Sequence, residues 1–584
     1  MVIARPQAAS RPSPAADEHA SAALDSVAEA FLALLRSRGI SNFFINAGTD
    51  FAPIVEAYAR LGDGAAAMFP RPVVAGHENV SMGMAHGAYL MSGRPQAVMF
   101  HVNVGTANAA CGAMNAAAEN VPLLICAGRS PIYESGMTGA RNTRVTWAQE
   151  MYDQASVVRE SVKWDYELRG ASHAADVVDR ALTIAMTEPR GPVYLTLPRE
   201  VLAEEPAVDP VPEPRVAVPT GASPDPQAIG RLADQLVEAE FPVISALASG
   251  ADTRSVPLLA ELCEQFAIGY VEEQARYLNI PSDHPLHLGY AMAPLLDQAD
   301  CWLFVENDVP WIPASGAPLE SAFIAQAGAD PAFLNYPMRS HRCDLAIRSG
   351  PTALFSALAE ALDQRRHLID PSRRERVAAR AEDLRRRAAD ARRSALVGSG
   401  PITVEFLSAV LGSVLHEDCV LFNEYWGVRQ MFAPTRPGSY FYLPATGGLG
   451  WALPAAIGAK VEAPDRTMVA AIGDGTYMFS NPVACHHASH KHGLPVLTVV
   501  ANNSRWDAVN WTSRLVYPNG HASGRDWMEI SDLRPSPAYE KLPSASDGLG
   551  LLVTERSELE GALRQALLSV EQERRHALLN VICK

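Results

Sequence analysis

The chain has no Cys-x-x-Cys pair; its eight cysteines (Cys111, Cys126, Cys263, Cys301, Cys343, Cys419, Cys485, Cys583) are scattered over 584 residues. That usage suits a reducing compartment, where thiols act as small buried hydrophobes, and it predicts a cytoplasmic location. No unbroken apolar run is long enough to span a bilayer, so no membrane partner is expected. The first residues lack the apolar core of a secretion signal and are rich in Ala, Pro and Ser; 1–20 therefore read as a disordered tail. Basic residues are in deficit, 49 Lys+Arg against 65 Asp+Glu, for a net charge of −16. Such a balance argues against nucleic acid as a main partner.

What is present is a well-cored globular composition, 48% hydrophobic with 20% charged residues, in a chain long enough for about three domains. Short buried strands alternate with helices: strands at 42–46, 73–75, 97–100, 123–127 and 193–197, helices near 27–38, 52–61, 79–91 and 107–118. This rhythm implies a doubly wound parallel sheet over 21–198. A Pro-rich linker occupies 199–222. A central α/β domain follows at 223–365, with strands at 242–245, 269–271 and 301–305. The Arg-rich stretch 366–398 reads as a solvated helix or linker. A third α/β domain covers 399–584, with strands at 420–422, 469–472, 496–500 and 578–582. The fold class is α/β, three doubly wound parallel-sheet domains.

The chemistry-bearing pattern begins at Gly473-Asp474-Gly475. A helix's length later, an apolar strand ends in Asn502-Asn503. A bare Gly-Asp-Gly is more often a turn. Here the spacing can bring a carboxylate and a carboxamide to the carboxyl ends of neighbouring strands. Hard oxygen donors with room for phosphate oxygens suit Mg²⁺, and the glycines let backbone N–H groups approach a diphosphate. The pattern resembles the thiamine-diphosphate motif of the pyruvate-decarboxylase and acetolactate-synthase superfamily. The resemblance implies metal binding by the Asp474 carboxylate, the Asn503 side-chain oxygen and the Arg505 main-chain carbonyl. It also implies cofactor contacts from Gly473, Gly475 and Thr476.

A second stretch, Gly76-His77-Glu78-Asn79, is similar to the superfamily's segment carrying a catalytic glutamate. By itself, Glu78 at a helix start can also be a dipole or cap residue. The resemblance implies that it hydrogen-bonds the cofactor's pyrimidine nitrogen, so that the ring's amino group becomes a base and forms the ylide. In Tyr440–Gly458, glycines at 447, 448 and 450 allow close backbone approach. There the resemblance implies that the Gly447 carbonyl accepts from the pyrimidine amino group and that Leu449 wedges between the two rings. Asn423-Glu424 matches the start of a diphosphate-side segment, although Tyr425-Trp426 departs from its Ser/Thr-rich pattern.

Within the superfamily the nearest resemblance is to benzoylformate decarboxylases. His101 heads a stretch similar to their loop with one catalytic histidine, and His284 matches the place of the second. As residues, both also read as hydrogen-bonded structural histidines. Thr49 stands where those enzymes have Ser and could bind the substrate carboxylate or carbonyl. Ala508 and Thr512 fall at pocket walls, and Thr512 replaces an aromatic residue there. The cluster Cys485-His486-His487-Ala488-Ser489-His490-Lys491-His492 lacks further metal-site logic and reads as a solvated or subunit-facing helix.

The resemblance implies decarboxylation of a small-molecule 2-oxo acid to an aldehyde through an enamine, with thiamine diphosphate and Mg²⁺. Carboligation, as in acetolactate synthase or benzaldehyde lyase, is the alternative; a cofactor-binding homologue without turnover is a third. Glu306-Asn307-Asp308-Val309-Pro310-Trp311 departs from the run seen in flavin-binding acetolactate synthases, so no FAD is expected. In the superfamily the site is shared between subunits, so the resemblance implies a homodimer at least and a homotetramer as the usual form.

Overall fold

The computed structural model describes residues 23–207, 211–214 and 216–584; the expected tail at 1–20 lies outside them. Three wholly parallel sheets organise the chain. The first runs Arg71–Val74, Asn42–Ile45, Gln96–Phe100, Leu123–Arg129, Val193–Pro198, Asp165–Glu167 from edge to edge. The second runs Gly269–Val271, Pro242–Ala246, Cys301–Val305, Phe323–Gly328, Leu345–Arg348. The third runs Tyr440–Tyr442, Cys419–Glu424, Thr467–Gly473, Leu497–Asn502, Ala577–Ile582, Leu549–Val553. Numbered within each domain, the first and third share the order 2-1-3-4-6-5 and the second is 2-1-3-4-5. Each is doubly wound, with a switch point between its strands 1 and 3, where such sheets open a crevice at their carboxyl ends. The α/β expectation of three such domains holds.

The central strands are apolar runs because helices cover both sheet faces; Gln96–Phe100 and Val193–Pro198 are buried at every position. Strands invisible to the sequence pattern are mostly short or at edges: Asp165–Glu167, Tyr440–Tyr442 and Leu549–Val553. The inner strand Phe323–Gly328 also escaped, along with Leu345–Arg348. Within 366–398 the chain forms one 25-residue helix, Arg373–Val397. It is more than a solvated connector. Arg373 is fully buried, and its guanidinium donates to the carbonyls of Leu236 (2.6 Å), Ala239 (3.1 Å) and Phe266 (2.6 Å). These close two central-domain helices, where a cation is favoured. No helix of the described residues is long and apolar enough to cross a membrane.

The outer domains meet through equivalent helices. Glu78–Ser92 follows strand 2 of the first sheet, and Ala452–Glu462 follows strand 2 of the third. Their axes approach closely because glycines lie at the crossing. A Cβ on Gly458 would stand 1.8 Å from the Met84 carbonyl oxygen, and one on Gly87 1.9 Å from that of Ala455. All three domains meet at Arg276, which pairs with Glu119 (3.1 Å) and Asp308 (2.5 Å). The same Glu119 oxygen accepts the Ala445 N–H at 2.9 Å.

Candidate active site

At the carboxyl edge of the first sheet, strand 1 feeds the loop with Thr49 and Asp50, strand 2 feeds Glu78 and strand 3 feeds His101. Glu78 opens its helix, but His77 caps it, its Nδ1 accepting the Asn79 N–H at 3.1 Å. The Glu78 carboxylate is thus free of capping, and it is buried. Its Oε2 accepts from Asn108 Nδ2 at 3.1 Å. A Cβ on Gly105 would stand 3.2 Å from Oε1.

The helix after strand 3 begins at Val102, five residues earlier than the sequence pattern indicates. The β-branched valines at 102 and 104 hide this start. Asp50 supplies what propensity lacks: its Oδ2 accepts the Val102 N–H at 3.3 Å. Its Oδ1 lies 2.5 Å from His101 Nδ1. Asp50 is buried, and its hydrogen bond pushes the His101 pKa up against the opposing effect of partial burial; the Glu78 charge adds to the rise. With Asp50 on Nδ1, proton exchange falls to Nε2, which meets Gln149 Nε2 at 3.1 Å. The ring packs on the Gly48 backbone, where a Cβ would come within 2.2 Å of it. Thr49 is exposed, and its carbonyl accepts from Arg199 at 3.3 Å. Sequence reasoning chose Thr49 and missed Asp50 and Gln149. The signal for Asp50 was an acidic residue one position after the candidate, in a glycine turn behind a strand.

In the third domain, Gly473 pairs with Ala501 across parallel strands. The chain therefore delivers Asp474 and the 502–505 turn side by side. Asp474 is buried, with Oδ1 accepting the Gly475 N–H at 2.9 Å. Its Oδ2 is buried with no partner. Burial pushes the Asp474 pKa up to about 6, despite amides of Gly475, Ser504 and Arg505 that favour the charged form. Of the two asparagines, Asn502 is structural: Nδ2 donates to Asn580 and Ser536, each at 2.9 Å. Asn503 stays at the edge, its Oδ1 accepting the Arg505 N–H at 3.2 Å. The Arg505 side chain pairs with Asp507 at 2.9 Å. Gly475 must lack a side chain, since a Cβ would lie 2.4 Å from the Trp506 ring. Gly473 precedes the short helix Asp474–Phe479, which carries the buried Thr476. An orphaned carboxylate oxygen beside a carboxamide is a donor set that fits Mg²⁺.

The glycine loop at 447–450 sits at the equivalent of the Glu78 position, after strand 2 of the third sheet. Gly447 has φ +64°. Gly448 is clamped by Asn115 of the first domain, which donates to its carbonyl (2.9 Å) and accepts its N–H (3.2 Å). Leu449 is half-buried.

The other expected residues are engaged within the chain. Asn423 turns inward, bonding both main-chain groups of Gly427 and the Tyr440 hydroxyl. Glu424 is fully buried and accepts the N–H groups of Gly450, Trp451 and Ala452 at 2.7–3.2 Å. Glu424 thus braces the glycine loop, and Asn423 the turn that ends at Gly427. His284 belongs to the central domain's packing. Its Nε2 meets the Ala260 carbonyl (3.1 Å) and its Nδ1 accepts the Leu286 N–H (3.2 Å). In the histidine cluster, His486 is buried rather than solvated, at 2.7 Å from the Tyr477 hydroxyl, and burial lowers its pKa to about 3. Ala508 and Thr512 are exposed one turn apart on the helix Asp507–Val516.

One outer domain offers a buried glutamate beside an aspartate–histidine pair, and the other a carboxylate suited to a metal; the class is an α/β cofactor-dependent enzyme. The family model of the thiamine pyrophosphate enzyme N-terminal TPP binding domain matches residues 25–157, and that of the C-terminal TPP binding domain matches 423–581. The chain belongs to the thiamine pyrophosphate enzymes. It is 26% identical to a benzoylformate decarboxylase of Pseudomonas aeruginosa over 554 residues, 91% of this chain and 95% of that protein. A sulfoacetaldehyde acetyltransferase of Rhodobacter capsulatus is 27% identical over 582 residues, covering 92% and 91%. The fold matches the thiamine diphosphate-dependent 4-hydroxybenzoylformate decarboxylase of Rhodococcus jostii RHA1 with a TM-score of 0.76 at 21% identity, over 96% of this chain and 99% of that one.

Proposed function

We propose that the enzyme uses thiamine diphosphate and Mg²⁺ to decarboxylate a 2-oxo acid to an aldehyde. The observation that carries this reading is the Asp50–His101 pair on the same sheet edge as Glu78. Release of an aldehyde requires a placed proton donor, and this pair supplies one. The cofactor, when bound, acts as the electron sink that lets the carboxylate leave as CO₂. Asp474 and Asn503, with the Arg505 carbonyl, would hold the metal. The backbone at 473–476 would hold the diphosphate, and Gly447 and Leu449 would shape the cofactor. Glu78 would share a proton with the pyrimidine ring. His101 Nε2 would deliver a proton to the reacting carbon or oxygen, with Thr49 orienting the substrate.

Exposed apolar side chains support a site completed by a second copy: Met478, Phe479, Trp511 and Leu515 in the third domain, Tyr133 and Trp147 in the first. Large apolar side chains left exposed are the kind that protein–protein contacts cover. A homodimer is the minimum and a homotetramer the fuller form. Flavin is not part of the proposal: the half-buried Glu306 and the buried Asp308 follow the central strand Cys301–Val305, where a dinucleotide's phosphates would approach. Carboligation is the second reading. The engagement of both His284 nitrogens within the chain favours it, because one proton donor fewer would slow release of an aldehyde relative to addition to a second carbonyl.

A panel of 2-oxo acids, assayed with Mg²⁺ and thiamine diphosphate, tests both. CO₂ with aldehyde supports decarboxylation, acyloin supports carboligation, and no CO₂ from any acid overturns the decarboxylase reading.

A further inference from the structure

The amino edge of the third sheet, opposite Asp474, carries a second set of metal donors. Cys419 opens the strand Cys419–Glu424, Thr467 opens its neighbour in register with it, and Glu571 ends the helix Arg556–Glu571. The imidazole of His416, the thiol of Cys419 and the carboxylate of Glu571 place their ligand atoms within 4.8 Å of one another. His416 Nε2 is 2.7 Å from Glu571 Oε1. That same oxygen accepts from Thr467 Oγ1 at 2.8 Å, which fixes the carboxylate. A turn closed by the Cys419 N–H on the His416 carbonyl (3.0 Å) puts the imidazole and the thiol on one side. The sulfur is buried, while His416 and Glu571 face solvent, leaving an open approach.

We propose that His416, Cys419 and Glu571 bind one zinc-class transition-metal ion, with water as a fourth ligand. The donor set decides the metal. Thiolate and imidazole select Zn²⁺ or Co²⁺ over the Mg²⁺ that an all-oxygen site prefers. Tetrahedral bonds of about 2.0–2.3 Å put donors some 3.3–3.7 Å apart, so the ion replaces the His416–Glu571 hydrogen bond, opens that 2.7 Å pair and draws the Cys419 sulfur in towards it. On binding, the Cys419 thiol releases its proton to solvent, and His416 carries its remaining proton on Nδ1. Without the ion, burial first and then the Glu571 charge keep the thiol protonated, with its pKa up to about 12. Thr467 serves the carboxylate as an outer partner of the kind that orients metal ligands. The ion would tie the start of one strand to the end of a helix that is distant in sequence.

The test is a Co²⁺ titration of the full-length protein held in saturating Mg²⁺ and thiamine diphosphate. The expected result is one equivalent bound with a near-ultraviolet thiolate-to-cobalt charge-transfer band, displaced by Zn²⁺. Cys419→Ser removes the band, and Glu571→Gln weakens binding about 10-fold or more. His416 is on the surface, so His416→Ala keeps the fold and carries the test if Cys419→Ser does not fold. Absence of the band in the parent protein overturns the proposal, as does its persistence in Cys419→Ser or His416→Ala.

Discussion

Asp50 holds two groups at once: one carboxylate oxygen lies 2.5 Å from His101 Nδ1, and the other accepts the Val102 N–H at 3.3 Å. A single buried side chain thus starts a helix and fixes the tautomer of the imidazole just before it. Asp50→Asn should cost about 10- to 100-fold in kcat, a part of what a placed acid–base group contributes. Because Asp50 raises the His101 pKa, the variant's basic limb in the kcat/KM profile should move to lower pH. A pH–rate series on the best 2-oxo acid measures it; an unmoved limb removes the pair from proton transfer. Stability carries the same sign. A histidine raised on folding stabilises fully below its unfolded pKa, about 6.5, and that stability fades as pH rises through the folded value.

Glu78→Gln should abolish exchange of the cofactor's C2 proton while the cofactor still binds. The amide keeps a hydrogen bond to Asn108 but has no proton to share at the required strength. Hydrogen–deuterium exchange on the loaded protein, quenched in acid, reads this directly. Exchange at the parent rate would take Glu78 out of its assigned place.

The helix pair between the outer domains has no room for one methyl. Gly458→Ala would drive a Cβ to within 1.8 Å of the Met84 carbonyl oxygen, and backbone cannot swing aside as a side chain can. Overpacking of this kind costs about 1–3 kcal/mol. A lowered thermal midpoint should result, with faster proteolysis between the domains. Gly561 has open space at its Cβ; Gly561→Ala, within the helix Arg556–Glu571, should be neutral or stabilising.

Arg276 joins three domains through Glu119 and Asp308. Arg276→Met leaves two buried carboxylates without their cation, a change that costs about 3–5 kcal/mol when one partner of a buried pair is removed. Thermal unfolding in two separated steps, where the parent shows one, is the expected signature.

The domain pattern was legible because buried parallel strands are apolar throughout, as at Cys301–Val305, whose bounds the sequence marked. Tyr440–Tyr442 and Asp165–Glu167 were not: three-residue strands carry too little pattern, and their pairing comes from neighbours distant in sequence. The site divides in the same way. Asp474 and Asn503 stood out because local spacing and strand register place them together. Asn423, Glu424 and His284 look similar in one dimension, yet their partners at Tyr440, Gly450 and Ala260 meet them only once the chain folds. The same limit hid the pairing of His416 and Cys419 with Glu571, which comes together only across the folded sheet and helix.

Asp474 gives the last prediction because its pKa is displaced by burial to about 6 from an ordinary 3.8. Mg²⁺ needs the carboxylate, so its affinity should fall steeply as pH drops through about 6. The metal-free protein should behave oppositely. Between about pH 4 and 6 its folded state binds more protons than the unfolded chain, so its stability falls as pH rises across that window. Added Mg²⁺ should reverse the trend by binding only the folded, deprotonated form. Thermal midpoints from pH 5 to 7.5, with and without Mg²⁺, should therefore diverge towards high pH. In Asp474→Asn the two curves should coincide, and a Mg²⁺ shift that survives this substitution would place the metal elsewhere.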